Sequence, residues 1–228
     1  GLDRGKIVDQ LFGPDQLRQR MAYALSQILV VSDRSDALSG DHFGVSEYWD
    51  ILARNAFGNY RTLLEEVTKS PMTGRYLSHW RNRKVTPGAA TSPSAPEENY
   101  AREIMQLFTV GLIERNLDFS PVLAGPDPIP TYTQNDITER ARVFTGWNLR
   151  LTGDRTSALT SYYEYVFNAV QHDPTAKTFT FAVMPDGSKT IPARAAAEGE
   201  QDGLDLIRAL ARRPETAEFP QHVGHVDR

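Results

Sequence analysis

Apolar residues recur every three or four positions through most of the first 150 residues, which is the spacing of one face of an α-helix. The first such pattern follows Gly13-Pro14, and proline is favoured at the first position of a helix. Thr133 and Asp136 are spaced as a capping box, with aspartate in the place of glutamate. The pattern predicts helices over about residues 14–32, 45–57, 60–69, 71–80, 96–110, 133–147 and 198–212.

Two segments between these helices are rich in proline or glycine. We expect residues 81–96 and 116–131 to form long exposed loops, because proline and glycine interrupt regular elements. After residue 150 the pattern changes, and β-branched and aromatic residues cluster at 162–167 and 178–183. With Pro185-Asp186-Gly187 as a turn signal, these runs predict two or three short strands.

Together these elements predict a mainly α fold with a minor β part. We expect residues 1–150 to form a multi-helix, bundle-like domain with the two long loops. Residues 151–228 are expected to add a small β hairpin or sheet and a helix. We expect this extension to pack on the helical body as part of the same domain.

The composition of the chain argues against several classes of protein. The chain has 228 residues, with 25 Lys and Arg against 29 Asp and Glu, so its formal net charge of −4 argues against a nucleic-acid binder. Cysteine is absent, which excludes disulfide scaffolds and cysteine-based metal sites. No stretch approaches eighteen consecutive apolar residues, so we expect no transmembrane segment in this chain.

The fifth predicted helix carries a polar stripe beside its apolar one. Asn99, Arg102, Glu103 and Gln106 follow the i, i+3, i+4, i+7 spacing of one helix face. One interpretation is a solvated face on which Glu98 and Arg102 form an ion pair. The other is a buried polar network, in which Arg102 and Glu103 need full pairing because a lone buried charge is costly.

The sixth predicted helix places Asp136 and Arg140 one turn apart, where they can form an ion pair. Gly146 and Trp147 have the composition of a helix end, with the glycine in a left-handed turn and the tryptophan folded back on the core. Capping and turn chemistry explain each residue. With the polar stripe of the fifth helix, Asp136, Arg140 and Trp147 form a candidate binding or structural polar network.

His172-Asp173 is the best candidate for chemistry among the histidines. A histidine beside a carboxylate suits a general base or a metal ligand. A turn capped by Asp173 before Pro174 explains the same residues. We take Glu103, His172 and Asp173 as the candidate catalytic residues. His222 and His225 are only a weak indication of a metal site, and we predict none.

Several motifs resemble, in order along the chain, those of the bacterial family of domain of unknown function 1800 (DUF1800). One is the run Glu98-Asn99-Tyr100-Ala101-Arg102-Glu103. The others are Arg20-Met21-Ala22, Asn55-Ala56-Phe57-Gly58-Asn59-Tyr60-Arg61, Lys69-Ser70-Pro71-Met72, Tyr132-Thr133-Gln134, Arg140-Ala141, Thr145-Gly146-Trp147, His172-Asp173-Pro174 and Arg213-Pro214-Glu215. The resemblance covers about residues 15–219, and it is the combined pattern that is specific.

This chain departs from the family pattern at three positions. Many members carry His in the place of Phe108 and Glu in the place of Gln106, so the resemblance implies no catalytic His–Glu pair on this helix. A histidine before Pro214 is replaced by Arg213. Members are about twice this length or more, and we therefore expect a central fragment or a shortened member.

The resemblance implies context more than activity. Such proteins look exported, to the periplasm or the cell surface, and often occur beside a sulfatase-like family catalogued as domain of unknown function 1501 (DUF1501). Three functions stay open, and no cofactor is indicated. The first is a non-catalytic interaction or assembly module whose loops dock a partner. The second is a hydrolase or metal-dependent enzyme whose polar site consists of Arg102, Glu103, Arg140, His172 and Asp173. The third is a purely structural fragment.

Overall fold

The structure is a computed structural model that describes residues 14–116, 118–152, 162–213 and 216. Its helices are α1 (Gln16–Ile28), α2 (His42–Arg54), α3 (Tyr60–Lys69), α4 (Pro71–Tyr76), α5 (Asn99–Gln106), α6 (Gln134–Val143) and α7 (Glu200–Ala211). Its strands are β1 (Leu123–Ala124), β2 (Asp127–Pro128), β3 (Trp147–Thr152), β4 (Tyr162–Phe167), β5 (Lys177–Thr178) and β6 (Thr190–Ile191). They pair two by two as β1–β2, β3–β4 and β5–β6. The predicted mainly α fold with minor β structure is confirmed.

Contacts divide the chain into two compact units. Unit 1 consists of the described parts of Gly1–Tyr76 and Arg150–Glu164. Unit 2 consists of the described parts of Leu77–Leu149 and Tyr165–Arg228. Unit 2 therefore takes residues from both sides of residue 150, and every candidate site residue belongs to it.

The core of unit 1 forms where α2 packs against both α1 and α3. Leu52, Leu63, Leu64 and Val67 are buried, as their helical spacing predicts. Tyr48 is buried with them, and its hydroxyl donates a hydrogen bond to the Leu29 carbonyl at 2.6 Å. This bond satisfies the one polar atom that the tyrosine side chain brings into the core.

Helix α2 lies about three residues before its predicted position. The side chain of Asp41 accepts a hydrogen bond from the backbone N–H of Gly44 at 3.1 Å, so Asp41 is the N-cap and the helix begins at His42. The same carboxylate pairs with Arg75 at 2.6 Å. The prediction of a start at residue 45 was wrong because the helix begins with two exposed residues, His42 and Phe43, before its first buried position.

Helix α5 is shorter than the predicted 96–110. After Gln106 the chain leaves the helix, and the N–H groups of Leu107 and Phe108 both bond to the Glu103 carbonyl at 3.0 Å. Leu107 is 41% exposed, whereas Phe108 is buried. Gly111 adopts a φ of +74° and returns its N–H to the Met105 carbonyl, which closes the helix end.

Helix α6 ends at Val143 rather than at the predicted Trp147. Gly146 has a φ of +85°, the left-handed conformation that was predicted for it. A side chain there would lie 2.8 Å from the Asn168 carbonyl oxygen, so only glycine fits. Trp147 then begins β3 instead of completing the helix.

The predicted loop at 116–131 contains backbone-paired structure. We call residues 112–131 the arm. Strands β1 and β2 pair as an antiparallel hairpin, and bridges join Ile113 to Pro130 and Arg115 to Pro121. At its base, the Thr131 N–H donates to the Leu112 carbonyl at 3.1 Å. The prediction of an exposed segment was right, but that of a segment without strands was wrong, since its prolines occupy positions where no ladder N–H is needed.

The predicted strand at 178–183 is regular only over β5. Beyond Thr178, single hydrogen bonds continue the pairing, such as the Phe179 N–H to the Lys189 carbonyl at 2.9 Å. Gly187 has a φ of +85° in the predicted Pro185-Asp186-Gly187 turn. Phe179 and Phe181 are buried, so this irregular hairpin packs apolar side chains inward.

Candidate functional site

Asp136 binds two segments of unit 2 at once. It is fully buried near the start of α6, and its carboxylate receives four hydrogen bonds. Two come from the N–H and hydroxyl of Thr133, both at 2.8 Å. The Asp136 N–H donates in return to the Thr133 hydroxyl oxygen at 3.3 Å, which completes the predicted capping box. The N–H and hydroxyl of Thr180 donate the other two, at 2.8 and 2.7 Å. Burial raises the pKa of Asp136, but these bonds outweigh it and hold the pKa below its usual value.

Arg140 is buried one turn further along α6. Its Nη1 lies 3.9 Å from the Asp136 carboxylate, so the predicted pair exists as an ion pair without a hydrogen bond. None of its three guanidinium nitrogens has a hydrogen-bond partner within the described structure. The group lies instead over the rings of Phe179 and Phe181, at 5.1 and 4.6 Å from their centroids. Burial lowers the pKa of Arg140 to about 9, which leaves it charged at neutral pH.

His172 lies at the centre of a second buried cluster. Its side chain is fully buried, and Nδ1 lies 2.7 Å from the Thr145 carbonyl oxygen. A carbonyl only accepts, so Nδ1 carries the proton of this bond. Nε2 lies 3.3 Å from an oxygen of Asp202 and 3.4 Å from the ammonium of Lys177. Gly199 makes room for the ring, since a Cβ there would lie 2.2 Å from it.

Lys177 and Asp202 form a fully buried ion pair beside this imidazole. The Lys177 ammonium donates to Asp202 and to the Asp173 carbonyl, both at 2.5 Å. The second oxygen of Asp202 lies 2.8 Å from Nε of Arg194, a contact without hydrogen-bond alignment. Burial raises the pKa of Asp202, but bonds from His172 and Lys177 reverse this and lower it.

Asp173 turns away from its neighbour His172. Its carboxylate accepts from Arg142 at 2.8 Å and from the Thr175 hydroxyl at 2.6 Å. Arg142 also forms two bonds to Glu139, both at 2.7 Å. Burial raises the pKa of Asp173, but the bonds from Arg142 and Thr175 prevail and hold it at about 2. The predicted capping role fits these bonds, because the Thr175 N–H also donates to this carboxylate at 3.0 Å.

The polar stripe of α5 is largely accessible to solvent. Arg102 pairs with Glu98 at 2.7 Å and donates to Gln134 of α6 at 2.9 Å, with 46% of its side chain exposed. Glu103 is half-buried, and burial raises the pKa of its carboxyl group. Asn99 and Gln106 are likewise half-buried. The ion pair of the solvated-face interpretation is present, and both of its members also form hydrogen bonds to Gln134 of α6.

Trp147, the first residue of β3, packs against β4 and α7. It is buried, with its ring 5.4 Å from that of Phe144 and 5.0 Å from that of Tyr165. A Cβ at Gly203 of α7 would lie 2.4 Å from the Trp147 ring. The tryptophan therefore acts through packing, as its predicted place on the core implies.

The candidate residues divide into separate groups. The hydrogen-bond partners of His172 are Thr145, Lys177 and Asp202, and neither Glu103 nor the Asp173 carboxylate is among them. Arg140 joins Asp136 instead. Within the described ranges, no three His, Asp or Glu side chains are placed to hold a metal ion. His222 and His225 lie outside the described residues.

Sequence reasoning missed Lys177, Arg194 and Asp202 as members of this cluster. A signal was present for Asp202, which lies four residues before the buried Leu206 and so falls on the inward face of α7. A carboxylate on a buried helix face requires a partner. Nothing in the spacing of Lys177 and Arg194 identifies them as that partner.

Comparison with known proteins gives one match. A sequence model of the protein family of unknown function DUF1800 matches residues 2–221. Searches of curated proteins and of solved structures returned no significant match. In the part of the chain that the structure describes, no helix is long and apolar enough to cross a membrane. The family match extends over nearly the whole chain, and the protein therefore belongs to the DUF1800 family.

Proposed function

We propose that this protein is a non-catalytic interaction module that acts with an exported or envelope partner, and that the arm is its contact surface. The proposal rests on one observation, which is that the arm is both ordered and exposed to solvent. The arm has backbone hydrogen bonds at its base, its middle and its tip. Nearly all of its described residues are exposed or half-exposed.

The arm presents apolar side chains to solvent. Leu112 is 56% exposed and Leu123 is 53% exposed. Arg115 lies over the ring of Phe119 at 4.3 Å, which holds a cation and an aromatic group together on the same surface. Aromatic and arginine side chains are enriched in protein interfaces, and an ordered segment loses little conformational entropy on binding.

Rigid elements hold both ends of the arm. It follows the end of α5 at Gly111 and leads into the α6 cap at Thr133. The Thr131 hydroxyl donates to the Gly111 carbonyl at 2.6 Å, which joins the two ends. Arg102 and Gln134 connect α5 with α6 below it. The buried cluster of Asp136 and Arg140 supports this base, so we assign it a scaffold role.

The environment of the candidate catalytic residues favours this function over a hydrolase. His172 is fully buried, and both of its ring nitrogens have partners within 3.4 Å. The Asp173 carboxylate is occupied by Arg142 and Thr175. A general base must come within hydrogen-bond reach of its substrate, and these two groups would first have to lose their partners.

The partner that we propose is a sulfatase-like protein of the DUF1501 family, exported with this chain. The test is biolayer interferometry between the full chain and such a protein encoded beside it. We expect Leu112→Asp and Leu123→Asp each to weaken binding at least about tenfold, since each would place an unpaired carboxylate in the contact surface.

Val170→Asp is the matched control, because Val170 is 81% exposed in the same unit but lies outside the arm. We expect this variant to bind as the wild type does. A wild-type chain that does not bind the sulfatase-like protein, or arm variants that bind it with unchanged affinity, would contradict the proposal.

A further inference from the structure

A cavity of about 300 Å³ lies in unit 2, where the last turns of α7 meet the irregular hairpin after β5. Three arginines of the helix and its end, Arg208, Arg212 and Arg213, line one side. The hairpin contributes Val183, Met184 and other apolar residues to the opposite side. The cavity thus combines a cationic wall with an apolar one.

Positive charge exceeds negative charge among the described residues of the cationic wall. Asp205 is the one carboxylate among the lining residues that the structure describes, and this group already forms an ion pair with Arg194 and accepts a bond from Gln201 at 2.9 Å. Arg208 approaches Asp205 only to 4.0 Å, beyond hydrogen-bond distance. Within the described ranges, no carboxylate forms an ion pair with Arg212, whose side chain is exposed.

Arginines at a helix end have a simpler role, which is to stabilise the negative end of the helix dipole. That role accounts for Arg208 in the last turn of α7. It does not require three guanidinium groups around one cavity. Arg213 also contacts the Phe181 ring at 5.3 Å, which fixes its position at the rim.

We propose that this cavity binds a phosphoryl group, as free phosphate or as a phosphate monoester. Guanidinium groups form planar pairs of N–H donors that match phosphate oxygens, and those of Arg208 and Arg212, which both line the cavity, match the charge of a dianion. The wall of Val183 and Met184 offers apolar contact for the carbon part of a monoester. The site shares no residue with the arm, so it is independent of the proposed partner interaction.

The test is isothermal titration calorimetry of the full chain in phosphate-free buffer, with inorganic phosphate and phenyl phosphate as the two probes. We expect saturable binding with a Kd of about 1 mM or tighter. Arg212→Ala should weaken it roughly tenfold, because it removes charge-assisted hydrogen bonds. Arg212→Lys should bind with an affinity between those of the wild type and Arg212→Ala, since it keeps the charge but loses the planar pair of donors.

Arg83→Ala is the matched control, an exposed arginine of the same unit that does not line the cavity. It should bind both probes as the wild type does, and circular dichroism should show every variant folded. Tighter binding of phenyl phosphate would identify a monoester as the ligand, and equal binding would identify free phosphate. The absence of saturable binding for both probes, or equal losses in Arg212→Ala and Arg83→Ala, would overturn the proposal.

Discussion

At the scale of single residues, Asp136 shows how one carboxylate can combine three tasks. It caps α6 through Thr133, it holds the segment after β5 through Thr180, and it is the counter-ion of the buried Arg140. Three of the four hydrogen bonds go to Oδ2 and one goes to Oδ1, and Arg140 lies 3.9 Å from Oδ1, beyond hydrogen-bond distance. The guanidinium group is therefore compensated by charge and by two aromatic rings rather than by hydrogen bonds.

Asp136→Ala should lower the free energy of unfolding by about 3–5 kcal/mol, because it removes one half of the capping box and leaves Arg140 as a buried charge without a counter-ion. Urea denaturation followed by circular dichroism measures the loss. Asp50→Ala is the control, since Asp50 is an exposed carboxylate in the middle of α2 and should be replaced with almost no loss. Equal stability of the two variants would refute the role that we give to Asp136.

Asp173 should make stability depend on pH in the acid range. Its pKa is about 2 in the folded protein against an ordinary value of 3.8, so the unfolded chain binds the proton first as the pH falls. The stabilisation is complete above about pH 4 and is lost progressively toward about pH 2. Asp173→Asn should therefore be less stable near neutral pH and lose less stability over that acid range.

Urea midpoints measured from neutral pH down to the acid range test this expectation. Asp50→Asn serves as the control and should follow the wild-type curve. A parallel course of the Asp173→Asn and wild-type curves would mean that the pair with Arg142 does not stabilise the fold.

Sequence patterns predicted the residues of the α6 cluster better than those of the histidine cluster. Asp136 and Arg140 are one turn apart, so their pairing follows from local geometry. Lys177 and Asp202 are 25 positions apart and meet only after α7 has packed. A single sequence does not encode such a distance in any local spacing.

At the scale of elements, α7 approaches Trp147 so closely that the helix requires glycine. Gly203 faces the ring, and a Cβ there would lie 2.4 Å from it. Gly199, just before the helix, faces His172 in the same way. Gly203 would disfavour an isolated helix, but here it allows α7 to pack against the core, and Gly199 at the N-cap allows the same close approach to His172.

Gly203→Ala should lower the free energy of unfolding by about 1–3 kcal/mol through overpacking, although alanine is the better helix former. A double-mutant cycle with Trp147→Leu is the control, because the smaller side chain removes the clash. In that background we expect Gly203→Ala to be nearly neutral. An equal loss in both backgrounds, measured by urea denaturation, would rule out contact with the ring as the cause.

The helices were easier to predict than their ends or the arm. Helix α3 has its predicted bounds because Asn59 caps it next to the first apolar position. The start of α2 was misplaced because its N-cap, Asp41, is followed by two exposed residues, His42 and Phe43. The pairing in the arm was missed because each of its strands has only two residues, too few for an alternating pattern.

At the scale of the whole molecule, family membership and the proposed function have different support. The DUF1800 match extends over residues 2–221 and agrees with motifs scattered along the chain. The interaction role rests on the arm, whose exposure the prolines predicted and whose order only the structure could reveal. Export and the sulfatase-like partner follow from resemblance and are part of the proposal.

Hydrogen–deuterium exchange of the full chain, with and without the purified sulfatase-like protein, tests the interaction role most directly. We expect amides of residues 112–131 to exchange more slowly in the complex, while those of α6 and α7 stay unchanged because they are already protected by packing. Slower exchange in another region, with the arm unaffected, would contradict the assignment of the arm as the contact surface.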